Sequence, residues 1–294
     1  MSGRIHLSTT PGRIAEILGV LTLAHELRAW PPRYNIVPGQ PTLIVRAIEG
    51  VSAKPPISAS TRGKPLAGLP VEIASARWGL VPRWAGEPDI GVRATTTRGE
   101  DAHERPALAE LVSRRRCLVP VDGLYEWTPD RRPVWFGYQD QQTDPFDRSP
   151  RPVGSTASAA KTGGGGGVAM LAGLWDQWEA PGTPDDVPAQ ARATLDSFTL
   201  LTAPGVDVAG AQPLAGFPLE RIPVVLEPAH YAAWLDPESE QAEIRTLAAY
   251  ATRRTIVCYE VGPWVNSPRH DSPRCIEPLS ALGEGLVTGL FGSW

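Results

Sequence analysis

Lysine is nearly absent from this 294-residue chain: it occurs only at Lys54, Lys64 and Lys161, although lysine and arginine together number 28. The cations are therefore arginines, whose planar fork suits bidentate phosphate contacts and stacking better than an ammonium does. A base composition rich in arginine codons explains the same bias, so the bias alone decides nothing. Positive charge is not in excess either. A formal net charge of −4 argues against a generally basic nucleic-acid binder, so any grip on phosphate must be local. Cysteine is scarce, and Cys117, Cys258 and Cys275 lack the spacing of metal ligands. They are expected to be reduced, mostly buried thiols of a cytoplasmic protein that uses no metal and no other cofactor. No apolar run approaches the roughly eighteen residues that would suggest a membrane span. The N-terminus shows no basic segment followed by an apolar one, so no secretory signal is expected.

What is present is a series of short strand-like runs with few helices. Thr10-Pro11 reads as an N-cap and first helical position, and Ile14, Ile17, Leu18, Leu21, Ala24 and Leu27 repeat at helical spacing towards Trp30. Strands are expected over about 42–48, 71–80, 117–121, 133–138, 168–178, 195–203, 222–226 and 255–261. Pro106 and Pro228 each open a helix, and a further helix covers about 240–253. Residues 139–167 change character and include five consecutive glycines; they read as a disordered insertion inside a domain. Strands and helices that do not alternate regularly predict an α+β domain with a curved, largely antiparallel, barrel-like sheet flanked by short helices. That domain would cover 1–278, followed by a C-terminal tail over 279–294.

Two stretches carry candidate chemistry. In Arg114-Arg115-Arg116-Cys117-Leu118-Val119-Pro120-Val121-Asp122-Gly123-Leu124-Tyr125-Glu126-Trp127, a buried strand is followed by a sharp turn at Asp122-Gly123. A second strand then sets Tyr125 and Trp127 on one face and Glu126 on the other. The bland alternative makes Glu126 a solvated strand residue. In Arg77-Trp78-Gly79-Leu80-Val81-Pro82-Arg83-Trp84, aromatics interleave with arginine, as suits single-stranded nucleic acid. A core tryptophan pair at a strand end is the alternative. If Met1 is removed, Ser2 presents a free α-amine that is partly unprotonated at neutral pH.

The ordered set of motifs resembles the SOS-response-associated peptidase family, the abasic-site-processing proteins. The matching pieces begin with Met1-x-Gly3-Arg4, Arg33-Tyr34-Asn35-Ile36-x-Pro38 and Arg77-Trp78-Gly79-Leu80-Val81-Pro82-x-Trp84, followed by Arg93 and the Arg114–Trp127 stretch. Ala172-Gly173-Leu174-Trp175, Arg221-x-Pro223, Trp234-Leu235, Val265-Asn266-Ser267 and Glu277-Pro278 complete the series. The resemblance implies a single domain with a shallow basic cleft for single-stranded DNA. It also implies an N-terminal cysteine that forms a thiazolidine with the aldehyde of an abasic site, assisted by an asparagine, a glutamate and a histidine. Arg4, Asn35, Pro38, Arg77, Trp78, Trp84 and Arg93 would then line the DNA site.

The chain departs from that pattern where the chemistry sits. The cysteine position is Ser2, the asparagine position is Gly91 and the histidine position is Leu219, which leaves only Glu126 of the four. Three functions follow from different weights on these facts. The first is a single-stranded DNA-binding relative that has lost stable cross-linking and associates with the nucleoid when bound. The second is a lyase-like enzyme that uses the Ser2 amine and Glu126, and the third is a scaffold without a DNA role. Convergence of Arg4, Arg77 and Arg93 on one cleft beside Ser2 would favour the first two.

Overall fold

The computed structural model describes residues 3–51, 57, 61–128, 130–138, 167–181, 193–204, 220–249 and 256–279. Ser2, Leu219, the insertion over 139–166 and the tail from 280 onward lie outside the described residues.

The N-terminal third begins with β1 (Arg4–Leu7), α1 (Pro11–Leu18) and β2 (Thr22–Leu23). It continues with β3 (Arg33–Ile36), β4 (Pro41–Ala47), β5 (Val71–Trp78) and β6 (Thr96–Arg98). The middle holds α2 (Pro106–Arg114), β7 (Arg116–Val121), β8 (Gly123–Trp127), β9 (Pro133–Tyr138) and β10 (Ala169–Glu179). Beyond lie β11 (Thr194–Pro204), β12 (Arg221–Pro223), β13 (Val225–Leu226), α3 (Tyr231–Leu235), α4 (Gln241–Ala249) and β14 (Ile256–Glu260).

Five strands close on themselves. β4 pairs with β5 and β7, β7 with β10 and β10 with β11, all antiparallel. β11 then returns to β5 through two parallel pairs, Ser197 with Arg77 and Phe198 with Trp78. Closure removes the free edges that an open sheet would present. The second sheet runs β14-β9-β8-β1-β3 and is antiparallel throughout. This is the expected α+β architecture, with a curved, mostly antiparallel, barrel-like sheet and short helices.

Asp122 is where the chain leaves the ring for the second sheet. β7 ends at Val121, and β8 pairs with β1 and β9. The Asp122 carboxylate accepts from the Ser8 and Thr9 backbone N–H groups at 2.6 and 2.8 Å and from their hydroxyls at 2.9 and 2.7 Å. Charge-assisted bonds of this kind contribute about 1.5–3 kcal/mol each, so the end of β1 is firmly tied to the crossing point.

The helical spacing from Pro11 towards Trp30 stops early. Thr10 caps α1 as expected, accepting from Arg13 N–H at 3.3 Å. Gly19 then takes a left-handed φ of 78°, and its N–H bonds to Ala15 O at 2.8 Å. Residues beyond it form β2 against β5 and a 3-10 turn over His25–Ala29. The apolar spacing serves these pieces separately.

The arginine cluster also divides. Arg114 is exposed, and Arg115 pairs with Glu49 and Asp176 beside the Trp175 ring. Arg116 is buried and donates to the carbonyls of Val112 and Ser113 in the last turn of α2. It also donates to Trp234 and Asp236 at the end of α3, at 2.5 and 2.6 Å. One cation thus satisfies the open carbonyls of two helix ends. Burial pulls its pKa down to about 10, which leaves it charged at neutral pH.

Candidate nucleic-acid interface

β1 is an interior strand of the second sheet, between β8 and β3. Arg4 opposes Tyr125, Ile5 opposes Leu124 and His6 opposes Gly123, so one further step sets Gly3 level with Glu126. A β-carbon on Gly3 would meet nothing within 4 Å, so space is open beside it. Strand alternation works as the sequence predicts. Tyr125 and Trp127 pack with Trp135 and Val265 in a small apolar cluster, while Glu126, 7% exposed, faces the other way.

Arg4 is locked in place by neutral partners. Its Nη1 donates to Asn35 Oδ1 at 3.0 Å and its Nη2 to the Asn266 carbonyl at 2.9 Å, and its guanidinium lies 5.6 Å from the Trp127 ring centroid. Burial lowers its pKa somewhat, but neither bond cancels its charge. Asn35 is fully buried and its Nδ2 donates to the carbonyls of Val265, Ser267 and His270. Its interior position makes it a brace for Arg4. Asp271 completes the frame, accepting from the Tyr34 and Asn35 N–H groups at 2.5 and 3.0 Å and pairing with Arg33.

Behind this cluster lies a buried relay. Trp135 Nε1–H donates to His6 Nδ1 at 3.2 Å, which leaves the ring proton on Nε2, 2.9 Å from Ser8 Oγ. Burial lowers the His6 pKa, with the carboxylates of Asp122 and Asp271 opposing. A base whose folded-state pKa is depressed binds fewer protons folded than unfolded. Its contribution to stability is therefore whole above the unfolded pKa and falls as pH drops below it. Stability should fall relative to a His6→Gln variant by up to about 1.4 kcal/mol per pH unit below ~6.5. Denaturant melts of both proteins between pH 8 and 5 check this, and parallel pH profiles would rule it out.

Most of the remaining candidates lie near the seam where β5 meets β11. Trp78 is fully buried and its Nε1 donates to Thr95 O at 2.9 Å, so this ring belongs to the core. Trp84, by contrast, is 66% exposed. Arg77 donates to the Pro88 carbonyl, bracing the 3-10 turn Pro88–Arg93, and Arg93 stands exposed at the end of that turn. Gly91 is packed tightly: a β-carbon there would lie 2.5 Å from Gly79 O, 2.6 Å from Val81 Cγ2 and 3.0 Å from Arg77 Nη2. Pro38 and Gly39, with φ of 87° at the glycine, form the type II turn that joins β3 to β4. Gly39 N–H donates to Trp78 O at 2.7 Å and Trp78 N–H to Gln40 O at 2.9 Å.

The candidates thus fall into two groups. Arg4, Asn35 and Glu126 belong to the second sheet, while Arg77, Trp78, Gly91 and Arg93 belong to the ring seam, and the Pro38 turn runs between them. Arg4 and Arg77 are held by different partners, so the described contacts do not gather Arg4, Arg77 and Arg93 into one cluster, the outcome that favours the scaffold reading. Ser2 and Leu219 lie outside the described residues. Asn266 and Asp271, which hold Arg4 and Asn35, were not among the candidates. Asp271 acts across 236 residues, a separation that carries no local sequence signal. Among the described residues, no three His, Cys, Asp or Glu side chains cluster as metal ligands. No described helix is long and apolar enough to cross a membrane.

A five-strand ring joined to a second sheet that holds β1 between β8 and β3 defines the class: an α+β protein with its first strand in the interior of a sheet. The model of the family described as SOS response associated peptidase (SRAP) matches residues 1–268, and the chain belongs to that family. It is 26% identical over 207 residues to the Bacillus subtilis abasic site processing protein YoqW, covering 70% of this chain and 76% of YoqW. It is 28% identical to mouse abasic site processing protein HMCES over 220 residues, 71% of this chain and 58% of HMCES. A crystal structure of a Bacteroides thetaiotaomicron protein shares the fold, with a TM-score of 0.60 at 16% identity over 94% of this chain and 99% of that one.

Proposed function

We propose that this protein is a DNA-damage-associated binder of single-stranded DNA, directed to abasic sites as its relatives' names describe, and without the stable cross-link that the family resemblance implies. The observation that supports this best is Arg4. Neutral partners hold a cation on β1 next to Gly3, where space is open and Glu126 lies level on the neighbouring strand. A phosphate would meet a charge already oriented. Trp84 offers an exposed ring for a base to stack on, and Arg93 a further cation.

Loss of the stable product follows from the residue at position 2. A thiol can close a ring on an imine to give a thiazolidine, whereas the ring closed by a serine hydroxyl hydrolyses readily. The amine itself could still condense with the aldehyde, releasing one water and leaving a reversible imine, if Met1 is removed.

The binding part is tested by fluorescence anisotropy. Single-stranded oligonucleotides should bind more tightly than duplex of the same sequence, with log affinity falling linearly with log salt. Trp84→Ala should weaken binding by about 1–3 kcal/mol. Equal affinity for duplex and single strand, or no salt slope, would sink the proposal.

A further inference from the structure

One exposed aromatic plays no part in the site described so far. Trp264 lies in the 3-10 turn Pro263–Asn266 and is 36% exposed. Its indole lies against Gly262, where a β-carbon would meet Nε1 at 2.7 Å. The Arg274 guanidinium sits over the ring, 5.3 Å from its centroid. His270 approaches edge-on, with centroids 6.0 Å apart and its Nδ1 3.1 Å from the Trp264 carbonyl oxygen. Arg269, His270 and Arg274 are all exposed. The one acid within 263–274, Asp271, is occupied by Arg33 and the β3 backbone. The outward side of this loop is therefore basic.

The same turn ends at Asn266, whose carbonyl accepts from Arg4 and whose Oδ1 accepts from Trp127 Nε1 at 2.7 Å. Two arginine–tryptophan stacks, Arg4 on Trp127 and Arg274 on Trp264, thus share one short turn. We infer that Trp264 and Arg274 form a second stacking platform, which takes an unpaired base of the strand whose phosphate Arg4 holds. This rests on the single-stranded DNA function proposed above. Single-stranded DNA suits the platform because its bases are free to stack on an indole or a guanidinium plane while its phosphates meet the flanking cations. Paired bases in a duplex would have to unstack first.

The test compares two strands of equal length and charge, one carrying bases and one built of abasic spacers, by anisotropy with the full chain. Trp264→Ala should weaken binding of the base-bearing strand roughly five- to hundred-fold and leave the spacer strand unchanged, and Trp264→Phe should recover most of the loss. Equal binding of the base-bearing strand by wild type and Trp264→Ala would overturn the platform alone. Equal loss on both strands would also overturn it, since a lost stacking contact cannot weaken a strand without bases. If the wild-type protein binds neither strand, the platform and the DNA-binding function fall together.

Discussion

A Gly91→Asn variant is expected to melt roughly 3–10 °C below the parent protein, even though it restores the residue that the family resemblance places there. The first atom of any side chain at 91 would sit 2.5 Å from a backbone oxygen, that of Gly79, and 2.6 Å from Val81 Cγ2. Backbone cannot swing aside as the end of a long side chain can. Overpacking of this kind costs about 1–3 kcal/mol, which for a chain of this size converts to a few degrees per kcal/mol. Adding Ser2→Cys to the same chain should yield little or no heat-stable adduct on abasic single-stranded DNA. Thermal melts and denaturing gels read both outcomes. An unchanged melting point, or a strong adduct band from the double variant, would show that the turn over Pro88–Arg93 opens far more easily than its packing implies.

Replacing Glu126 by glutamine should slow borohydride trapping of an abasic-site imine by roughly ten- to a hundred-fold, the low end of general acid–base effects. The amine attacks the aldehyde carbon, a proton reaches the departing hydroxyl, and water leaves. Glu126 stands level with Gly3 across the β1–β8 pair and could donate that proton as an acid and then act as a base. Borohydride adds hydride to the imine carbon and fixes the link as a secondary amine. Mass spectrometry of the intact terminus must first show that Met1 is gone. If Glu126 instead serves only stability, the variant will melt lower while trapping at the parental rate. If a terminus lacking Met1 traps nothing even in the parent protein, the protein binds without catalysing.

Some of this was legible from sequence because its physics is local. Thr10-Pro11 and Pro106 open helices where expected, and the two-residue period separates Glu126 from Tyr125 and Trp127. Other features depend on where distant segments meet. Trp78 and Trp84 look alike in the sequence, yet the β11 pairing and the Thr95 carbonyl bury the first while the second stays outside. Arg114, Arg115 and Arg116 are adjacent and identical in the sequence, and only the converging ends of α2 and α3 draw Arg116 inside. Gly91 reads as a lost functional group. Its packing shows a backbone approach that only glycine permits.

The two-pair seam between β5 and β11 has a consequence for how the molecule is made. β4, β5 and β7 are neighbours early in the chain, whereas their ring is completed only when β10 and β11 have been synthesised. Until then β7 still awaits β10, and β5 is covered on its far side only by β2, at Glu72 and Ile73. Closing the ring requires a parallel pairing between distant segments, a slow kind to form. The interval before closure is therefore the one in which exposed strand margins most invite pairing with other chains. The short contact that seats Trp78 beside Phe198 is the latch that ends that interval.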